Sequence, residues 1–346
     1  MKDIRIGDKL VGEGHAPLII AEMSGNHNHS LERALEIVDA AANAGAHVIK
    51  LQTYTPDTMT VEGALRIEDN NSLWNGRELY ELYKEAYTPW EWHKPIFDRA
   101  KEKGIMAFST PFDETAVDFL EELGVSAYKI ASFENTDWPL LKKVAETGKP
   151  IIMSTGAAKL SEIDEAVILL KENGCEDLVL LKCTSTYPAN PENSNIITIP
   201  HMQQLFDCHI GLSDHTMGVG VAVASVALGA KVIEKHFTLQ RADGGVDSAF
   251  SIEPQELKLL VEESERAHLA LGKIQYGIQK SEEKSRLFKR SLIATRHIKA
   301  GEMLTSENVK VLRPGLGIES KYLDKVLGKI AKSGIAKGTP IRWEDF

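Results

Sequence analysis

Eight short apolar runs recur along this chain, and each stops at a polar residue. They occupy 18–21 ending at Glu22, 47–51 around Lys50 and Gln52, 106–108 before Ser109 and Thr110, and 127–131 around Lys129 and Ser132. The others are 150–153 before Ser154, 178–181 before Thr184 and Ser185, 209–212 before Ser213 and His215, and 231–233 before Glu234 and His236. Stretches of helical period separate most of them. Ser30 caps residues 31–44, where Leu31, Ala34, Leu35, Val38, Ala41 and Ala42 share a face, and Gly45 ends the run. The same grammar closes 114–123 at Gly124, 161–173 at Gly174, 219–228 at Gly229 and 254–271 at Gly272. Strand–helix alternation at this spacing implies a parallel sheet. Eight strands with functional groups at their carboxyl ends imply a (β/α)8 TIM barrel of the α/β class. Residues 3–13 precede it as a hairpin turning at Gly7-Asp8, expected to plug the bottom of the barrel.

The chain has 346 residues, enough for one large domain and a small one. The barrel is expected over 1–275 and a polar linker over 276–289. A compact unit of short strands and closely spaced glycines is expected over 290–346, with strand-like runs at 291–295 and 309–312. Residues 54–93 are a long insertion carrying Tyr54, Trp74, Tyr80, Tyr83, Tyr87, Trp90 and Trp92. An insertion this long reads as a lid or a subunit contact. For residues 79–93, a helix packed on the rim through its aromatics is the alternative.

The net charge of -10 argues against broad nucleic-acid binding, which needs a basic face. It leaves room for a small anionic substrate, because a few cations focused in one pocket outweigh a diffuse acidic surface. No apolar run approaches the roughly 20 residues of a membrane span, and the start lacks a signal-peptide core, so no membrane association and a cytoplasmic location are expected. The three cysteines, Cys175, Cys183 and Cys208, form no CxxC pair and are expected to be reduced and non-catalytic.

Residues i and i+2 of a strand share a face. Lys50 and Gln52, Ser213 and His215, and Glu234 and His236 therefore project together. His215 and His236 end neighbouring barrel strands, where two neutral imidazoles suit a divalent metal; two hydrogen-bonded pocket histidines are the alternative. Asp214 and Glu234 are candidates to hold the imidazole tautomers. Lys50 and Lys129 interrupt apolar strands, where an unpaired ammonium is costly. With the hydroxyls of Thr110, Ser132, Ser154, Ser185 and Ser213 they describe a phosphate or carboxylate pocket. Internal salt bridges to Glu22 or Glu234 are the alternative. Glu22 shares a face with Leu18 and Ile20 and projects into the mouth as a proton carrier or sugar contact. No Ser-His-Asp order, GxSxG elbow, GxGxxG or Walker A is present.

These segments resemble the sialic acid synthase family. The resemblance is carried by Ala21-Glu22-Met23-Ser24-Gly25-Asn26-His27, Lys50-Leu51-Gln52-Thr53, Phe108-Ser109-Thr110-Pro111-Phe112 and Tyr128-Lys129-Ile130-Ala131-Ser132. Ser154-Thr155-Gly156, Cys183-Thr184-Ser185-Thr186-Tyr187-Pro188, Gly211-Leu212-Ser213-Asp214-His215-Thr216 and Glu234-Lys235-His236-Phe237 continue it. Arg290-Ser291-Leu292, Gly301-Glu302-Met303-Leu304 and Arg313-Pro314 look like the family's antifreeze-like (SAF) domain. The family condenses phosphoenolpyruvate with an acetamido sugar to a nine-carbon 2-keto acid. Residues 79–89, Ala131-Ser132-Phe133-Glu134 and Asp247-Ser248-Ala249-Phe250-Ser251 are most similar to its pseudaminate-forming branch. The implied acceptor is then 2,4-diacetamido-2,4,6-trideoxy-L-altrose rather than N-acetylmannosamine.

The resemblance implies a divalent metal, Mn2+ with Mg2+ or Co2+ as alternatives, on His215 and His236. It implies catalytic roles for Glu22, His215 and His236. Lys50, Lys129, Thr110, Ser132, Ser154, Ser185 and Ser213 would bind the phosphate and carboxylate. Gln52, Tyr187, Glu234 and Asp247 would meet the sugar or move protons. Arg313 would reach the acetamido carbonyl, in a domain-swapped homodimer. A class II aldolase, the sister neuraminate or legionaminate synthases, and a non-catalytic carbohydrate- or ice-binding protein are the rival readings. An aldolase would release no phosphate from phosphoenolpyruvate. A binding scaffold has no need of eight polar strand ends.

Overall fold

The computed structural model describes every residue except Asn71. The chain divides into two compact units, Met1–Gly272 and Lys273–Phe346. In the first, a two-stranded hairpin (β1, Ile4–Ile6; β2, Lys9–Val11) leads into eight parallel strands. These are β3 (Leu18–Glu22), β4 (Val48–Thr53), β5 (Met106–Pro111) and β6 (Tyr128–Ile130), then β7 (Ile151–Ser154), β8 (Leu178–Cys183), β9 (His209–Ser213) and β10 (Val232–His236). They close in sequence order, with β10 pairing β3. The eight apolar runs are thus the eight staves of the barrel.

Side-chain parity sorts the core. Leu18, Ile20, Val48 and Phe108 are buried in one cluster with Ile4, Ile6 and Val11, so the hairpin closes one end of the barrel interior. Ile19, Ala21, Ile49 and Leu51 point outward. They pack with Ala34, Ile37, Val38 and Ala41 of the helix Leu31–Asn43. Ser30 caps that helix by accepting a hydrogen bond from Arg33 N at 3.2 Å. Gly211 stands where β9 and β10 approach so closely that a Cβ would lie 2.3 Å from Val232 O. Asp137 caps a further short helix, Trp138–Ala145, by accepting from Leu140 N.

The insertion supplies the helix Leu79–Ala86, and the helix Trp90–Glu102 follows it. Leu82 and Ala86 are buried, and Tyr83 packs edge-on against Tyr54. The helix expected on the rim over 79–93 is formed as two helices, and the first of them also faces the mouth of the barrel. No helix among the described residues is long and apolar enough to cross a membrane.

The second unit holds an antiparallel pair, β11 (Ser291–Ala294) and β12 (Val309–Leu312), around a small core of Leu292, Ile298, Leu304, Val326 and Ile341. The stretch expected as a linker, 276–289, falls wholly within this unit, where Lys280–Phe288 forms 3-10 turns.

Candidate active site

Register sets the site. Glu22 on β3 is level with Lys50 on β4 and with His236 on β10, while Gln52 is level with Thr110, and Glu234 with Ser213. The inward parity of these strands aims all of them into one rim. Lys50 Nζ lies 2.5 Å from Glu22 Oε2, 3.1 Å from Thr110 Oγ1 and 3.7 Å from Glu234 Oε2. Lys129 Nζ donates to Ser154 Oγ at 2.7 Å and to the Ile130 carbonyl at 3.0 Å, and lies 3.7 Å from Glu234 Oε1. Gln52 Nε2 donates to Glu22 Oε1, and Ser213 Oγ to Glu234 Oε1. Two ammonium groups and two carboxylates therefore share one buried cluster, with Lys50 and Lys129 only 3% and 2% exposed. The salt-bridge alternative left open above is what the structure contains.

The four charges are not equally settled. Burial opposes the charge on Lys50, but Glu22 and Glu234 more than offset it and raise its pKa. Burial lowers that of Lys129. Burial raises Glu22, which favours a proton there. Burial would also raise Glu234, but Lys129 and Lys50 override it and keep this group ionised. Glu234 Oε2 still has no hydrogen-bond partner. Ions buried with long contacts and an unpaired oxygen are poorly compensated.

The imidazoles stand beside this cluster, with ring centroids 5.3 Å apart. His215 Nδ1 lies 2.9 Å from the Thr184 carbonyl, which only accepts, so Nδ1 carries a proton and Nε2 is left for a ligand. Burial lowers the pKa of His215, but Cys183, 3.9 Å from Nδ1, outweighs it and leaves the ring more basic than usual. Burial, then the nearby positive groups, pushes His236 well below its ordinary value, so this ring is neutral. Its Nδ1 is buried without a hydrogen-bond partner, 4.0 Å from Asp247 Oδ2. Two imidazoles with open nitrogens fit a two-histidine divalent-metal site whose other positions are filled by water or substrate. Among the described residues no group of three or more His, Cys, Asp or Glu side chains is gathered for a metal.

Ser132 and Ser185 meet at Gly156. Gly156 N donates to Ser132 Oγ at 3.1 Å, and a Cβ there would lie 2.1 Å from Ser185 Oγ. Tyr187 packs over His215 at 4.4 Å between centroids. Asp247 accepts a short hydrogen bond from Ser24 Oγ, and Ser24 itself sits in the left-handed region at φ 46°. Strain of this kind gathers at functional sites. The barrel residues proposed from sequence for catalysis and substrate binding lie on this rim; Asp214 does not. Arg313 belongs to the second unit, where it is exposed beside the cis peptide to Pro314.

One expectation is corrected. Asp214 does not hold an imidazole: it accepts from Lys235 Nζ at 2.8 Å and from Thr216 N at 2.9 Å on the outer side of the wall. Glu234 does not hold one either; it serves the lysines, and the Thr184 carbonyl orients His215. The sequence reading also passed over Glu134, Trp74, Ser24 and Cys183 as site residues. A cavity of about 380 Å³ opens in front of the rim, lined by Gln52, His236, Tyr187, Asp247, Ser24 and Glu134 and covered by the insertion. Burial pushes the Glu134 carboxyl up to about 7, and its Oε2 is shut away without a partner. Trp74 Nε1 donates to the Val246 carbonyl at 3.0 Å and its ring meets Tyr187.

A closed eight-stranded barrel with buried charges and imidazoles gathered at the carboxyl ends of its strands defines a barrel enzyme. The chain belongs to the NeuB family, whose model matches residues 37–276; a SAF domain matches 289–346. It is 44% identical to a pseudaminic acid synthase of Campylobacter jejuni subsp. jejuni, over 95% of this chain and 96% of that one. A pseudaminic acid synthase of Helicobacter pylori is 41% identical over 95% and 98%. An N,N'-diacetyllegionaminic acid synthase of Campylobacter jejuni is 37% identical over 94% and 98%. The solved structure of an N-acetylneuraminic acid synthetase from Leptospira borgpetersenii, in complex with citrate, superposes with TM-score 0.74 at 34% identity, over 82% of this chain and 95% of that one.

Proposed function

We propose that this chain condenses phosphoenolpyruvate with 2,4-diacetamido-2,4,6-trideoxy-L-altrose and water, giving pseudaminic acid and phosphate. One observation carries this function: two buried ammonium groups and two imidazoles share one rim, in a chain most of whose length matches pseudaminic acid synthases. C3 of phosphoenolpyruvate bonds to C1 of the open-chain sugar, and the aldehyde oxygen takes up a proton. Positive charge builds at C2, where the Glu234 carboxylate, kept ionised by Lys129 and Lys50, offsets it. Water adds at C2 and gives up a proton, which balances the one consumed. The C2 hydroxyl then gives its remaining proton to the departing phosphate as C2=O forms and the C2–O bond to phosphate breaks.

Lys50 and Lys129 hold the phosphate and carboxylate, with the hydroxyls of Thr110, Ser132, Ser154, Ser185 and Ser213 as fixed donors. Glu22, whose burial favours its protonated form, is the proton carrier. Gln52, Tyr187, Glu234 and Asp247 orient the sugar. A divalent metal, Mn2+ before Mg2+ or Co2+, would be held by His215 and His236 and supply Lewis-acid polarisation of a carbonyl oxygen. The homodimer belongs to the same proposal: a variant dead at His215 and one dead at Arg313 should partly recover activity when mixed.

Phosphate release from phosphoenolpyruvate tests the assignment with three acetamido sugars, with and without chelator. The altrose derivative should be used fastest, and chelation should stop turnover until Mn2+ is returned. Faster use of the legionaminate or neuraminate precursor would move the chain to that sister activity, which the likeness to a legionaminic acid synthase makes the second reading. No phosphate release with any sugar would overturn the reaction itself.

A further inference from the structure

The cavity in front of the rim has two unlike sides. Its floor carries Gln52, Ser24, Asp247 and His236 from strand ends and loops, whereas its cover, from the insertion, carries the aliphatic Met59, Ile67, Leu79 and Leu82 beside the rings of Trp74 and Tyr83. Leu82 is buried, and the other three aliphatic side chains are half-buried. A sugar that reacts at C1 must set that carbon beside the imidazoles. Its open chain then runs away from the floor, and C6 is the carbon most remote from the reacting end. A hydroxyl at C6 would enter this apolar cover and lose hydration without a partner, whereas a methyl would gain contact.

We infer that the insertion's apolar cover is the specificity surface for the remote end of the acceptor, selecting a 6-deoxy carbon over a hydroxymethyl. Met59 and Ile67 are its determining side chains. This deepens the function proposed above and rests on its placement of C1. A hydroxyl carried into an apolar pocket is rejected by about tenfold to a hundredfold, so the preference is measurable in kcat/KM.

The test uses two acceptor pairs, each differing only at C6: the diacetamido altrose with its 6-hydroxy counterpart, and N-acetylmannosamine with its 6-deoxy analogue. The unaltered chain should prefer the 6-deoxy member by tenfold or more in whichever pair it turns over. In the double variant M59Q/I67N that preference should fall below threefold, with KM for phosphoenolpyruvate unchanged. Equal use of both members, or a preference that survives the two substitutions, overturns the inference. Turnover confined to the mannosamine pair would sink the altrose assignment while leaving the C6 preference readable. No turnover of any of the four sugars would remove the reaction and this inference with it.

Discussion

Two sets of buried lysines on opposite sides of the same barrel wall are solved in different ways. On the outer side, Lys235 is 1% exposed and donates to Asp214 at 2.8 Å and to the Thr216 carbonyl at 2.7 Å, while Asp214 also accepts from Thr216 N. On the inner side, Lys50 and Lys129 share Glu22 and Glu234, with contacts stretched to 3.7 Å and an unpartnered oxygen on Glu234. The outer pair is closed and leaves nothing for a ligand. The inner cluster is incompletely paired by its own carboxylates, so an arriving anion finds donors that the protein has not fully used. The difference separates an ion pair that fixes the wall from one that serves chemistry.

The largest expected effect is on the inner side. Lys129→Met should lower turnover by about 10²–10³-fold while the thermal midpoint changes little, measured by phosphate release and a melting curve. The outer pair should answer in the opposite way. Lys235→Met strands a buried carboxylate and should destabilise the fold by about 3–5 kcal/mol in denaturant titration, with KM for phosphoenolpyruvate near normal; adding Asp214→Leu should return part of that loss. If Lys235→Met abolished activity without loss of stability, the contrast between the two sides would fail.

A third effect sharpens where the cavity's own acid belongs. The Glu134 carboxyl, raised to about 7 from an ordinary 4.5, holds its proton in the folded chain after the unfolded chain has released it. Stability should therefore fall as pH rises from about 4.5 to 7, by about 3 kcal/mol at most. Glu134→Gln should flatten that slope, as urea titrations across the window would show. The smallest effect is expected at Ser154, which adds one hydroxyl to Lys129. Ser154→Ala should raise KM for phosphoenolpyruvate by about tenfold or less, the net worth of one ordinary hydrogen bond, because Lys129 keeps its charge and its other contacts.

Much of this was legible because period-2 parity is a rigid constraint. Glu22 follows Leu18 and Ile20 inward, and the glycines past the helices adopt positive φ where chain reversal requires it, as at Gly124 with φ 71°. The same parity, applied one residue further, sends Asp214 and Lys235 outward while Ser213, His215, Glu234 and His236 go in. Assigning Asp214 to an imidazole followed closeness in sequence rather than direction. The site roles of Glu134, Trp74 and Ser24 were not legible, because Ser24 and Glu134 sit in single 3-10 turns and Trp74 in a loop, where no periodicity gives a direction. Whether Lys50 and Lys129 face a ligand or internal carboxylates was undecidable from sequence: it depends on register between β3, β4 and β10, which places Glu22 level with Lys50.

The most direct measurement is calorimetric titration of phosphoenolpyruvate into the unaltered chain, Lys129→Met and Lys235→Met, each shown by its melt to be folded at the working temperature. Binding weakened about a hundredfold in Lys129→Met and kept in Lys235→Met is the predicted result. Equal affinity in the unaltered chain and Lys129→Met would contradict the placement of the enol phosphate on the inner cluster.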